Sequence, residues 1–164
     1  MKGNVYLVGM PGSGKSRVGR ELSGMTGLPM IDIDKEIEEE AGMPALDIFE
    51  MAGEQAFRDM EKAALVRASA RNRAIVSCGG GAVLDPDNRA VMKASGMVIW
   101  LKAPVERLKE RAPAGGKRPL LRAEGDMERL LAERTPVFQE VSDEEIDVGD
   151  DPVATARIIA RMLS

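Results

Sequence analysis

Short apolar runs alternate with longer amphipathic stretches along the whole chain. The runs at Val5–Val8, Met30–Ile33, Ala74–Ser77, Met97–Leu101 and Glu145–Val148 are of strand length and rich in β-branched residues. Between them the apolar positions recur at helical spacing, which predicts helices over Ser16–Thr26, Lys35–Ala41, Gln55–Arg71, Asp85–Ser95, Pro104–Arg111, Met127–Val141 and Pro152–Leu163. Strand-then-helix alternation implies an α/β fold, a parallel sheet with helices on both faces. In the last helix Val153, Ala156, Ala160 and Leu163 form one apolar stripe, with Arg157 and Arg161 opposite, and this stripe reads as core packing. No repeat or linker divides the chain, so residues 1–164 are expected to form one domain.

Two segments break the scaffold pattern. Residues 9–16 read Gly-Met-Pro-Gly-Ser-Gly-Lys-Ser, directly after the first apolar run and before the first helix. Strand, Gly-x-x-x-x-Gly-Lys-Ser and helix together predict a phosphate-binding loop. Backbone N–H groups of such a loop form an anion nest at a helix N-terminus. Lys15 then reaches the β- and γ-phosphates, and the Ser16 hydroxyl is a candidate Mg²⁺ ligand. The second segment, Ala112–Pro119, is rich in Gly, Pro and basic residues between two helices. It is either a flexible surface connection or a lid, and as a lid it would bring Arg118 to the transferring phosphate.

Composition narrows the chemistry. A formal net charge of −4, with three Phe, one Trp and one Tyr, argues against a nucleic-acid binder. No run is long and apolar enough to span a membrane, and Met1-Lys2-Gly3 leads straight into the first strand, so a cytoplasmic enzyme is expected. Cys78 is the only cysteine and histidine is absent, which excludes intramolecular disulfides and Cys-based zinc clusters. Without histidine, a general base must be a carboxylate, Lys, Tyr or the Cys78 thiolate, and Cys78 reads as a small buried apolar residue.

The acidic candidates are therefore Asp32 and Asp34. Alternation along a strand would put both on one side, near the phosphate loop, one for Mg²⁺ or its water and one for the nucleophile. Alternatively Asp34 caps the helix that starts at Lys35. Arg58 and Glu61, with Glu54 one turn earlier, are either a surface ion-pair ladder or part of a site. Ser77-Cys78-Gly79-Gly80-Gly81 ends the third strand, as a flexible turn or as backbone N–H groups offered to a ligand, with Ser77 where many P-loop proteins carry a Walker-B Asp.

Taken together, the phosphate loop, Asp-x-Asp, Gly-Glu-x-x-Phe-Arg-x-x-Glu at 53–61, Gly-Gly-Gly at 79–81, Arg-Pro-Leu-Leu at 118–121 and Arg-x-Pro at 134–136 resemble the shikimate kinases over essentially the whole chain. The resemblance implies a three-layer P-loop kinase fold with a five-stranded parallel sheet in order 2-3-1-4-5 and a mobile lid at about 112–124. It implies transfer of the ATP γ-phosphate to the 3-hydroxyl of shikimate, on the route to chorismate and aromatic amino acids, with Mg²⁺ as cofactor. ATP and shikimate would be the partners of a monomer. Asp34, Lys15 and Arg118 would be catalytic. Gly12, Ser13, Gly14, Lys15, Ser16, Arg17, Arg111 and Arg118 would bind ATP, Arg111 by stacking on adenine. Asp34, Arg58, Gly80, Gly81 and Arg134 would bind shikimate, whose binding segment is about 33–61, and Glu61 would orient Arg58. Ser16, and Asp32 through water, would hold the metal. The chain departs from the family pattern at Arg17, Ile33 and Phe138, and Gly149–Pro152 lacks an arginine often found near adenine. A related P-loop kinase of another hydroxylated acid, such as gluconate, is the alternative. A GTP switch or nucleotide sensor is disfavoured by the lack of Asn-Lys-x-Asp and Asp-x-x-Gly motifs.

Overall fold

The computed structural model describes residues 3–164; Met1 and Lys2, on which the expectation of a missing leader partly rests, lie outside them. Five parallel strands form one sheet: β1 (Asn4–Val8), β2 (Met30–Asp32), β3 (Ile75–Ser77), β4 (Gly96–Lys102) and β5 (Glu144–Asp147). Their order is β2-β3-β1-β4-β5, the order implied by the resemblance. β1 is the central strand, pairing Val5 with Ile75 on one side and with Met97 on the other. The helices are α1 (Lys15–Thr26), α2 (Ile33–Ala41), α3 (Ala45–Ala52), α4 (Glu54–Ser69), α5 (Pro86–Ser95), α6 (Val105–Arg111), α7 (Asp126–Val141) and α8 (Pro152–Leu163).

The pleat of β1 divides the core in two. Val5 and Leu7 pack with Val18 and Leu22 of α1 and Ala156 and Ile159 of α8. Tyr6 and Val8 face the other side, with Ile37, Leu65, Met92 and Phe138 from α2, α4, α5 and α7. Phe138 is fully buried and stacks on Trp100 at 5.4 Å between ring centroids. Because every strand is parallel, the loops after β1 and β3 and the start of α2 after β2 all emerge at one edge of the sheet.

Four sequence expectations need correction. β2 stops at Asp32, whose side chain accepts from the Lys35 N–H and so caps α2 itself; Ile33 and Asp34 are already helical. The strand-alternation argument for the acidic pair therefore fails, and Asp34 is not the cap. The helix α3 was not predicted at all. In α8 Ala156, Ala160 and Leu163 of the expected stripe do pack in or against the core, but Val153 is outside it and the buried centre is Thr155, Ala156 and Ile159. The predicted helix Gln55–Arg71 ends at Ser69.

Candidate active site

Gly9–Ser16 wraps around the N-terminus of α1, as the spacing predicts. Gly12 takes a φ of 86°, and a Cβ there would lie 2.8 Å from the Leu108 carbonyl, so only glycine closes this turn without strain. No side chain caps α1, which leaves its first N–H groups available to an anion. Lys15 is buried, and its ammonium donates to the Gly9 and Met10 carbonyls at 2.7 and 2.9 Å. Burial pushes its pKa down to about 8, against the upward pull of Asp34.

A cavity of ≈ 360 Å³ opens over this loop. Gly12, Ser13, Gly14, Lys15, Ser16 and Arg17 line it together with Asp32, Asp34, Arg111 and Arg118. Val148, Gly149, Pro152 and Thr155 line it too; Gly149 and Pro152 belong to the segment that the resemblance puts near adenine, while Val148 and Thr155 were not singled out from the sequence. The Arg111 guanidinium donates to the Gly149 carbonyl at 3.4 Å, which supplies a cation beside the segment that lacks an arginine of its own.

Three hydroxyl or carboxylate groups meet at the loop. The Ser16 hydroxyl donates to Asp32 Oδ2 at 2.7 Å, and Ser77 Oγ lies 3.4 Å from Ser16 Oγ. Asp32 thus joins α1 to α2 while capping the latter. Among the described residues, no group of three or more His, Cys, Asp or Glu side chains stands ready to hold a metal on protein ligands alone. Cys78 is buried, and burial holds its thiol well above the usual range, which removes it as a nucleophile.

A second cavity, ≈ 730 Å³, adjoins the first. Pro11, Ser16, Asp32, Asp34, Gly80, Arg111 and Arg118 border both. Its remaining wall includes Lys35 and Glu38 of α2, Ala45 and Phe49 of α3, Phe57, Arg58 and Glu61 of α4, the glycines 79–81, Arg134 of α7 and the segment 112–113 and 116–121. Every residue proposed from the sequence for acceptor binding lines this cavity. Glu38 and Phe49 also line it and were missed; the apolar spacing of Ala45, Ile48 and Phe49 after Pro44 was the available signal.

The charges in this cavity are unbalanced in an informative way. Glu61 is 1% exposed and bonds Arg58 at 3.0 Å, so the surface-ladder reading fails for it; Glu54, 52% exposed, keeps that character. Burial raises the Glu61 carboxyl, and Arg58 opposes the rise. Arg134 is 2% exposed, and its Nε has no partner among the described residues. Burial, reinforced by repulsion from Arg58, pushes Arg134 down to about 10. Asp34 Oδ1 is likewise buried without a partner, and burial raises its carboxyl despite Lys15. A native interior seldom leaves such groups bare, and together they are shaped to be completed by a ligand. The cation pair suits a carboxylate, and Asp34 suits a hydroxyl.

Comparison with known proteins agrees with this geometry. The model of the family described as shikimate kinase matches residues 11–163. The shikimate kinase of Nitrosococcus oceani is 40% identical over 98% of this chain and 86% of its own length. That of Francisella philomiragia is 36% identical, over 98% and 92% respectively. Among solved structures, the Acinetobacter baumannii shikimate kinase in complex with shikimate superposes with a TM-score of 0.93 at 34% identity, covering 98% of this chain and 92% of that one.

Proposed function

This chain belongs to the shikimate kinase family, and from that premise we propose that it moves the γ-phosphate of ATP to the 3-hydroxyl of shikimate, releasing ADP. The observation that carries the reading is the pair of incomplete charges across the second cavity. Arg134 lacks a partner at Nε beside Arg58, and Asp34 lacks one at Oδ1 beside the phosphate loop. A ring bearing one carboxylate and a nearby hydroxyl completes both at once. The shikimate-bound relative supports the same acceptor.

In this reading Arg58 and Arg134 hold the acceptor carboxylate, with Glu61 fixing the Arg58 guanidinium. A planar guanidinium binds a carboxylate through two parallel N–H bonds, which sets the ring's orientation as well as its affinity. The Gly80 and Gly81 backbone forms the adjoining wall. Asp34 accepts the hydroxyl proton and aims the oxygen at the γ-phosphorus. In phosphoryl transfer the transition state is loose, so a strong base is not needed early and positioning dominates. Lys15 leaves its loop carbonyls for the β- and γ-phosphates, and Arg118, which borders both cavities, balances charge on the group in transit. Gly12, Ser13, Gly14, Ser16 and Arg17 bind the phosphates, and Arg111 covers the base.

The Ser16 hydroxyl and the Asp32 carboxylate, 2.7 Å apart, are the hard oxygen donors that a Mg²⁺ ion arriving with ATP would require, Asp32 through water. The bound ion would screen phosphate charge and fix the triphosphate's conformation. Segment 112–124 serves as a lid and 33–61 as the acceptor-binding segment; residues of both line the second cavity, which supports this division. The exposed large apolar side chains, such as Met51, Val66 and Ile158, sit on separate helices, which supports action as a monomer. Among the described residues, no helix is long and apolar enough to cross a membrane.

A coupled ADP-release assay tests the proposal. ADP release should depend on shikimate and be absent with gluconate or nucleoside monophosphates. Release with gluconate but not shikimate would overturn it.

A further inference from the structure

Gly79, Gly80 and Gly81 leave β3 with N–H groups that reach no backbone carbonyl among the described residues. Their carbonyls are better held. Gly79 accepts from the Ala82 N–H and Gly81 from the Leu84 N–H, both at 3.1 Å, which winds residues 82–84 into a short 3-10 turn. Within a trans peptide the carbonyl of one residue and the N–H of the next point in opposite directions. Holding the Gly79 carbonyl toward the turn therefore directs the Gly80 N–H away from it, on a residue that borders both cavities.

The turn is gripped from behind by two adjacent side chains of α5. Asn88 Nδ2 donates to the Ala82 carbonyl at 3.0 Å, and Arg89 Nη1 donates to the Val83 and Leu84 carbonyls at 2.7 and 3.3 Å. Three consecutive carbonyls are thus taken, and Asn88 is 2% exposed. Neither residue lines either cavity. Lys62 of α4 ties the start of α5 to the helix bearing Arg58, pairing with Asp87 at 2.6 Å and Asp85 at 3.5 Å. The glycine loop is also the surface on which the two guanidiniums rest. A Cβ on Gly81 would stand 2.5 Å from Arg58 Nη2, and one on Gly80 would stand 3.2 Å from Arg134 Nη1.

We propose that Asn88 and Arg89 are positioning residues for the acceptor: through the Ala82–Leu84 turn they aim the Gly80 N–H and fix the floor beneath Arg58 and Arg134. This rests on shikimate being the acceptor. Of the glycines and guanidiniums that the grip positions, only Gly80 also borders the phosphate-side cavity, while Gly79, Gly81, Arg58 and Arg134 line the acceptor cavity alone, so its loss is felt chiefly in acceptor binding.

Steady-state kinetics of Arg89→Ala, Arg89→Lys and Asn88→Ala test it. Arg89→Ala should raise KM for shikimate about tenfold, the loss of roughly one to two hydrogen bonds' worth of orientation. KM for ATP should stay within about twofold, and the circular dichroism spectrum should not change. Arg89→Lys, which retains one donor, should recover most of the shikimate KM. Asn88→Ala should show the same split; if it fails to fold, the Arg89 pair decides alone. An unchanged shikimate KM in Arg89→Ala, or an ATP KM that rises in step with it, overturns the inference. If the wild-type protein itself does not turn over shikimate, the acceptor reading has failed first, and this inference falls with it.

Discussion

Lys15, which is buried, and Asp34, which is half-buried with its Oδ1 shielded from solvent, face the same phosphate site, and desolvation drives each toward its neutral form while their mutual attraction resists. A ligand that brings negative charge to Lys15 and a hydroxyl to Asp34 relieves both at once. Asp34→Asn keeps the volume but cannot accept the proton, so kcat should fall about 10²–10⁴-fold with the melting temperature preserved. Near-normal turnover would remove Asp34 from the chemistry. Lys15 makes a separate prediction about protons. With its pKa brought from 10.5 to about 8 in the nucleotide-free protein, the ammonium is fully charged only below that value. Above it, ATP must draw a proton from solvent as it binds, so affinity should fall as pH rises through about 8. Titration calorimetry in buffers of different ionisation enthalpy should show proton uptake above pH 8 and none well below it; equal heats in all buffers at high pH would contradict this. Stability runs the other way. Between about 8 and 10.5 the unfolded chain binds more protons at this residue, so its contribution to stability rises with pH in that window and is flat below it.

At the scale of elements, long periodic helices and β-branched strands were legible in the sequence, and the features missed depend on distant partners. The helix α3 has only eight residues between Gly42 and Gly53, and Pro44 before it offers no side-chain cap. Its cap comes from elsewhere: Glu38 of α2 accepts the Ala45 N–H through Oε2 at 2.8 Å. Asp-x-Asp spacing suits a strand and a helix start equally, so the end of β2 was set by Asp32 capping α2, which alternation does not reveal. Glu61 reads locally as a surface partner of Arg58, and its burial arises from the glycine loop packed over it; a Cβ on Gly79 would lie 2.9 Å from its Oε2. Glu38 is therefore testable as an element-level hinge. Glu38→Ala should cost about 1 kcal/mol of stability, the usual effect of losing a cap. It should also raise the acceptor KM, because Ala45 and Phe49 of α3 line that cavity. Glu38→Gln retains an acceptor oxygen and should behave nearly as wild type in urea unfolding and in kinetics. Equal effects of the two variants would point to charge and not to the cap.

For the molecule as a whole, alternation predicted a parallel α/β sheet, but periodicity carries no strand order; that came only with the motif resemblance. Parallel strands gather the phosphate loop, Asp32, Ser77 and the glycines at their C-terminal edge, as motif order along the chain allowed one to expect. The opposite edge has a different task. There the Asn4 amide donates to Tyr6 Oη at 3.2 Å and to the Ala68 carbonyl at 3.0 Å, and Asn4 Oδ1 accepts from the Ala74 N–H at 2.9 Å. Tyr6 Oη in turn meets Ser95 Oγ at 2.5 Å, joining β1, α4, the residue that leads into β3, and α5 in one largely buried network. This network touches neither cavity. Tyr6→Phe removes one hydroxyl while Asn4 keeps Ala68 and Ser95 keeps the Val91 carbonyl, so the loss should be moderate, about 1 kcal/mol. In a domain of this size that corresponds to a melting temperature lower by roughly 2–4 °C. Both KM values and kcat, measured well below the melting transition, should match wild type. If kinetics shift together with stability, the sheet transmits strain from one edge to the other, and the separation of scaffold from site is wrong.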